Sequence, residues 1–142
     1  DDSSVRLIEA GESFLIKGGT NVTTTSDAEG NITEGPGFNV FTVKENRLVT
    51  SDHGMLEGIS RRTVLEMAAQ IGLTTEVRNL PLTEFLEADE VFLSTSGGGV
   101  VGLTKVDDRI FTNGTIGPVT KNLHRIYWEW MKRPDLRTEI NY

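Results

Sequence analysis

The apolar positions alternate in some stretches of the chain and recur every three or four residues in others. Residues 38–44 alternate, with Phe41 and Val43 on one face, and residues 47–50 return after a two-residue turn. Strict alternation of this kind is typical of half-buried strands. The pattern therefore predicts a β-hairpin at the centre of the chain.

A helical period follows the hairpin. Residues 60–71 carry apolar positions at steps of three and four, Ser60 is predicted as the N-cap, and Gly72 is predicted to end the helix. A second amphipathic helix begins at Pro118 and a short one at Pro81. Further strands are predicted at residues 14–16, 73–77, 90–94, 100–106 and 110–111, with a turn at residues 18–21 and a short helix capped by Ser3 or Ser4. These elements predict one α/β domain with a twisted mixed sheet.

Composition narrows the class of protein. The 142 residues suffice for one domain with a sizeable core. A net charge of −7 argues against nucleic-acid binding, and the longest apolar runs are too short to span a membrane. No cysteine is present, which excludes disulfides and thiolate chemistry, and the two histidines, His53 and His124, are too far apart to suggest a metal site.

Three polar turns are candidates for chemistry. Glu34 precedes a Gly-Pro-Gly turn that would let a ligand approach closely, although an exposed turn glutamate is the simpler interpretation. Ser60, after Gly58 at a helix start, could hold a phosphate or be a plain N-cap. The loop Ser96-Gly97-Gly98-Gly99 could form an anion-binding nest or be a flexible turn.

The order of these motifs resembles a known family. The stretches are Gly30-Asn31-Ile32-Thr33-Glu34-Gly35-Pro36-Gly37-Phe38-Asn39-Val40-Phe41, Leu56-Glu57-Gly58-Ile59-Ser60-Arg61-Arg62-Thr63-Val64-Leu65-Glu66, Ala88-Asp89-Glu90-Val91-Phe92, Gly117-Pro118-Val119-Thr120 and Tyr127-Trp128. Together they resemble the class IV, or fold-type-IV, pyridoxal-phosphate aminotransferases, above all the branched-chain and (R)-amine enzymes. The resemblance covers residues 27–142 and implies the large C-terminal domain of the D-amino-acid aminotransferase-like fold. It leaves residues 1–26 as a poorly matching lead-in.

The resemblance implies roles for the matching residues. Glu34 would pair with the pyridinium nitrogen of pyridoxal 5′-phosphate, and Leu56 would pack on its ring. Ile59 and Ser60 would hold the cofactor phosphate after Gly58, which allows its close approach, and Ser96 would hold it from the second loop. Gly97 and Gly98 would line the substrate pocket.

One expected residue is missing from the matching positions. In this family a lysine that forms a Schiff base with the cofactor precedes the Glu-Gly motif by one helix and one strand, and counting back from Glu34 reaches or passes Asp1. Lys17 lies too near Glu34 and lacks the family's surroundings. No catalytic residue is therefore assigned. The sequence predicts a C-terminal fragment that lacks the small N-terminal domain and is inactive alone.

The resemblance also implies partners and alternatives. The intact enzyme would move an amino group from an amino acid or amine to a 2-oxo acid, as a cytoplasmic homodimer that uses no metal, nucleic acid or membrane. Two alternatives stay open: a non-catalytic cofactor-binding or structural domain, and a relative of the aminodeoxychorismate lyases.

Overall fold

A computed structural model describes residues 13–18, 20–136, 138 and 140, and it describes side chains from Ser26 onward. The strands are β1 Ser13–Gly18, β2 Thr20–Thr25, β3 Asn31–Ile32, β4 Glu34–Gly35, β5 Phe38–Lys44, β6 Arg47–Thr50, β7 Thr74–Val77, β8 Leu80–Pro81, β9 Glu90–Thr95, β10 Gly99–Leu103, β11 Lys105–Val106 and β12 Arg109–Ile110. The helices are α1 Ile59–Gln70, α2 Leu82–Leu86 and α3 Pro118–Trp130, with 3-10 turns at Thr112–Gly114 and Pro134–Leu136.

A mixed sheet organises these elements. Its strands lie in the order β10-β9-β5-β6-β7. Strand β4 pairs with the start of β5, on the same side of β5 as β6. All neighbours are antiparallel except β6 and β7, which run parallel because α1 carries the chain back between them. The predicted central hairpin and the mixed α/β class are confirmed.

Each face of the sheet has its own hydrophobic core. Phe41 and Val43 of β5 point toward α1 and α3, together with Phe92 of β9, whose ring stacks on Phe41 at 4.9 Å between centroids. Val40, one position away, belongs to the core on the opposite face with α2. This alternation follows from the two-residue period of a strand, as the sequence pattern predicts.

The N-terminal hairpin agrees in part with the sequence prediction. Strand β1 contains the strand predicted at residues 14–16, and it pairs with β2 so that Gly18 lies opposite Thr20. The helix predicted after Ser3 or Ser4 lies outside the described residues. Lys17 lies opposite Asn21 in this hairpin.

The start of α1 differs from the prediction. Gly58 is the N-cap, with extended angles φ −63° and ψ 152°, and Ile59 is the first helical residue. The assignment of Ser60 as the N-cap was therefore wrong by two residues. The Ser60 hydroxyl turns toward Tyr127 of α3 instead of folding back onto its own helix.

The start of α3 is capped from a distant strand. The carboxylate of Glu90, which is buried, accepts hydrogen bonds from the backbone N–H of Val119 at 3.0 Å and of Thr120 at 2.8 Å. The Thr120 hydroxyl donates a third bond at 2.7 Å. A methyl group built on Gly117 would overlap this carboxylate, so the close approach requires glycine there. An anion at a helix N-terminus is stabilised by the free N–H groups and the helix dipole.

Candidate functional site

Glu34 is joined to the segment that leads into α1. Its Oε2 accepts a hydrogen bond from the backbone N–H of Leu56 at 2.7 Å and another from the Asn39 side-chain amide at 3.3 Å. Two of the sequence-predicted site residues, which stand 22 positions apart, are thus in direct contact. The side chain of Leu56 itself is 72% exposed.

Asn39 connects Glu34 to the segment that leads into α1. Its side-chain amide donates to Glu34 and also to the Leu56 carbonyl at 2.8 Å. Its Oδ1 would lie 3.2 Å from a Cβ built on Gly58, which means that the chain passes closely over the amide there. Asn39 is a buried polar residue near the start of a largely apolar strand. The sequence interpretation gave it no role, but a polar residue at an inward position of an alternating strand was the available signal.

The N-terminus of α1 has no side-chain cap. The first-turn residue Ile59 is 83% exposed, and no side chain makes a capping hydrogen bond to this 12-residue helix. The first turn has no acidic residue but contains Arg61 and Arg62. Cations at this end oppose the helix dipole, which favours acidic groups. An arrangement that is unfavourable for the helix alone becomes favourable when an anion is bound.

Arg61 carries a buried positive charge beside Ser60. Its guanidinium donates to the Ser51 carbonyl at 2.8 Å, and its Nε has no hydrogen-bond partner among the described residues. Burial lowers the pKa of Arg61 below its usual value, which opposes the effect of Glu57 and Asp52. The group fixes the loop after β6 to the first turn of α1.

The glycine loop forms the turn between β9 and β10. Thr95 pairs with Gly99 across it, Ser96 and Gly97 are exposed, and Gly98 is half-buried. A methyl group built on Gly97 meets no atom of the described chain within 4 Å. The loop therefore leaves open space beside its backbone.

The sheet places this turn at the same end as Glu34. Glu34 lies opposite Asn39, Asn39 lies opposite Ser94, and Ser94 lies opposite Val100. Neighbouring strands are about 4.8 Å apart, so Glu34 and Ser94 are separated by about 10 Å across this row. The Ser94 hydroxyl is buried and has no hydrogen-bond partner within the described part of the chain.

Tyr127 of α3 links the helix start to the glycine loop. Its hydroxyl lies 3.2 Å from the Ser60 hydroxyl, and its ring packs under Gly99. The structure therefore brings together Glu34 and Leu56 by direct contact, and Ser60 and the loop through Tyr127. Tyr127 was assigned no chemistry from sequence, where it was one member of an apolar helix stripe.

A histidine holds the loop between β6 and α1. His53 Nε2 lies 2.7 Å from Asp27, and Nδ1 lies 2.8 Å from Asp52. Both carboxylates only accept hydrogen bonds, so both ring nitrogens donate to them when the imidazole is protonated. Donating to the carboxylate of Asp52, and secondly to that of Asp27, raises the pKa of His53. Burial would raise the pKa of Asp27, but bonds from Asn31, His53 and Glu29 outweigh burial and hold it well below the usual value.

Comparison with known proteins identifies the family. The model of amino-transferase class IV matches residues 12–106. The chain belongs to this family. It is 38% identical over 96 residues to a probable branched-chain-amino-acid aminotransferase of Thermotoga maritima, covering 66% of this chain and 35% of that protein. It is 35% identical over 97 residues to the D-alanine aminotransferase of Bacillus licheniformis, covering 67% of this chain and 34% of that protein.

Solved structures of this family share the fold. A putative branched-chain amino acid aminotransferase from Thermotoga maritima superposes with a TM-score of 0.72 at 34% identity, covering 75% of this chain and 39% of that one. A second branched-chain amino acid aminotransferase, in complex with N-(5′-phosphopyridoxyl)-L-glutamate, gives a TM-score of 0.71 at 33% identity, covering 78% of this chain and 38% of that one. The fold-type-IV class predicted from sequence is therefore confirmed.

The chain spans about a third of the length of the curated relatives reported above. None of the helices in the described ranges combines the length and the hydropathy that crossing a membrane requires.

Proposed function

We propose that this chain supplies one wall of a pyridoxal 5′-phosphate site in a class IV aminotransferase. The observation that carries the proposal is the hydrogen bond from the Leu56 N–H to the Glu34 carboxylate, because it brings the acid and the start of α1 into one corner. In this arrangement Glu34 faces the pyridinium nitrogen and Leu56 covers the ring. The bound cofactor supplies an electron sink for the carbon that loses its proton.

The donors at this corner suit a phosphate. The N-terminus of α1 offers the N–H groups of Ile59 and Ser60 without a capping side chain, and the Ser60 hydroxyl adds a donor. Gly58 has no side chain at the approach to the helix, and a Cβ built there would lie 3.2 Å from the Asn39 Oδ1. Phosphate oxygens are strong acceptors, and a helix N-terminus with free N–H groups favours their charge.

The second loop completes the proposed site. Ser96 lies exposed at the β9–β10 turn and would donate to the same phosphate, whereas Gly97 and Gly98 would offer N–H groups to a substrate carboxylate. The open space beside Gly97 supports this role, because a substrate could approach the backbone there without a clash.

We also propose the substrates, the oligomeric state and the compartment of the whole enzyme. The substrates are an amino acid or amine and a 2-oxo acid, the assembly is a homodimer, and the compartment is the cytoplasm. The 72% and 83% exposure of the apolar residues Leu56 and Ile59 supports further covering of this surface by ligand or subunit. The lack of cysteine suits a reducing compartment. We propose that the isolated chain binds the cofactor without turning over substrate, and that residues 27–142 form the domain responsible.

Calorimetric titration with pyridoxamine 5′-phosphate tests this function. The ligand has no aldehyde, so it forms no adventitious imines with surface lysines. We expect the phosphorylated ligand to bind at least about tenfold more tightly than pyridoxamine, because each charge-assisted hydrogen bond contributes about 1.5–3 kcal/mol. Glu34→Gln should weaken both ligands, and the matched control Glu57→Gln, an exposed acid next to Leu56, should weaken neither. Equal affinity for the two ligands, or a Glu34→Gln variant that binds like the parent, would contradict the proposal.

A further inference from the structure

Two buried hydroxyls face each other between α1 and α3. Ser60 is 7% exposed and Tyr127 is 5% exposed, and their oxygens are 3.2 Å apart. Among the described residues, the Tyr127 hydroxyl has its hydrogen bond with Ser60. A buried hydroxyl pair has a single hydrogen bond between its oxygens, so one hydroxyl donates and the other accepts.

The same tyrosine supports the glycine loop. The ring of Tyr127 would lie 2.7 Å from a Cβ built on Gly99, closer than any real side chain permits. Gly99 also has φ +65°, a left-handed backbone conformation that favours glycine. The chain therefore turns directly over the tyrosine ring, and Tyr127 is in contact with both proposed phosphate-binding segments.

The chemistry of a phosphate decides which hydroxyl donates. A fully ionised phosphate offers only acceptor oxygens, so Ser60 contributes to its binding only by donating its proton. Ser60 must then accept at its oxygen, and the group placed to donate to it is the Tyr127 hydroxyl. The opposite polarity, with Ser60 donating to Tyr127, would turn a lone pair of Ser60 toward the anion.

We propose that Tyr127 is a positioning residue that donates its hydroxyl proton to Ser60 and so orients the Ser60 hydroxyl to donate to the phosphate of the bound cofactor. Tyr127 does not touch the phosphate in this arrangement. Its effect is confined to ligands that carry a phosphate, because only the Ser60 proton is redirected. This inference rests on the proposed function.

A double-mutant cycle tests the proposal on the 142-residue chain. The variants are Tyr127→Phe, Ser60→Ala and the two combined, with Trp130→Phe as the control ring substitution on the same helix. Each is titrated with pyridoxamine 5′-phosphate and with pyridoxamine. We expect Tyr127→Phe to weaken the phosphorylated ligand by about three- to tenfold, the range of one hydrogen bond, and to leave pyridoxamine unchanged. In the Ser60→Ala background the same change should have no further effect.

Several results would overturn the proposal. Tyr127→Phe could leave both affinities unchanged, weaken both ligands equally as a structural defect would, or lower affinity further when Ser60 is already alanine. If the parent chain binds the two ligands equally, the proposed function itself fails, which is a separate outcome from a failed cycle in a parent that prefers the phosphate. A measurement that needs no variant is proton exchange: adding pyridoxamine 5′-phosphate should slow exchange of the Tyr127 hydroxyl proton with water, and unchanged or faster exchange would contradict the assigned polarity.

Discussion

The substitution Gly117→Ala should destabilise the chain although it adds only one methyl group. Gly117 precedes α3 with φ −70° and ψ 163°, angles that alanine adopts without strain. Backbone preference alone would therefore make the variant more stable, by about 0.4–1 kcal/mol. The structure predicts the opposite sign, because the added methyl would overlap the carboxylate of Glu90.

The size of the effect follows from the bonds that the carboxylate makes. Glu90 accepts three hydrogen bonds at 2.7–3.0 Å from Val119 and Thr120. Bonds to a charged group contribute about 1.5–3 kcal/mol each, but the three share one carboxylate and are not additive, so we take their joint loss as about 3–4 kcal/mol. After the backbone gain is subtracted, the free energy of unfolding should fall by about 2–3 kcal/mol. At this chain length that corresponds to a decrease in Tm of about 5–10 °C.

Urea unfolding followed by tryptophan fluorescence measures the effect, because Trp128 and Trp130 both lie on α3. The denaturation midpoint should fall while the slope m stays constant. Gly97→Ala is the matched control, since its methyl group enters open space and should change the free energy of unfolding by less than about 0.5 kcal/mol. If Gly117→Ala were as stable as the parent and as Gly97→Ala, the remote cap at Glu90 would be wrong.

Two further predictions concern the loop between β6 and α1. The raised pKa of His53 means that its ion pairs contribute fully below the ordinary value of 6.5 and are lost as pH rises through the folded-state pKa. The lowered pKa of Asp27 means that its contribution is present above the ordinary value of 3.8 and is lost only at much lower pH. Urea unfolding measures the free energy of unfolding between about pH 6 and pH 9. It should decline more over this range in the parent than in His53→Gln. Equal declines in the two proteins would contradict a contribution from these ion pairs. Separately, Asn39→Asp should lower the free energy of unfolding at neutral pH by about 1–3 kcal/mol, because it sets a second carboxylate against Glu34 and the Leu56 carbonyl. Denaturation at about pH 7 and pH 4 checks this. The stability lost in the variant should be partly recovered at the lower pH, where the carboxylates become protonated. An Asn39→Asp variant as stable as the parent at neutral pH would contradict the prediction.

Much of the fold could be predicted from local pattern. Strand β5 alternates between two cores, and the turn at Glu45 and Asn46, both with positive φ, closes the hairpin as expected. The strand predicted at residues 100–106 is two strands, Gly99–Leu103 and Lys105–Val106, because the second piece leaves the main sheet and pairs with β12. Such a break depends on where the partner strand lies, which a local apolar run does not encode.

The proposed site was named from sequence without the contacts that connect its residues. Glu34, Leu56 and Ser60 were named from sequence, and the structure places the first two in contact. Asn39 and Tyr127 were missed because their roles depend on long-range packing. The Ser60–Tyr127 bond joins residues 67 positions apart, and no spacing rule connects them. Ser60 was misplaced as an N-cap for the same reason: its propensity for that position was outweighed by a partner on another helix.

We propose above all that the start of α1 and the β9–β10 turn bind one phosphate together. Amide chemical shifts of the labelled chain during titration with pyridoxamine 5′-phosphate test it most directly. We predict that the signals of Ile59, Ser60, Ser96 and Gly97 move along one binding curve with a single dissociation constant. Signals at the two segments that follow different dissociation constants, or shifts confined to another surface such as the groove beside Lys44, would contradict it.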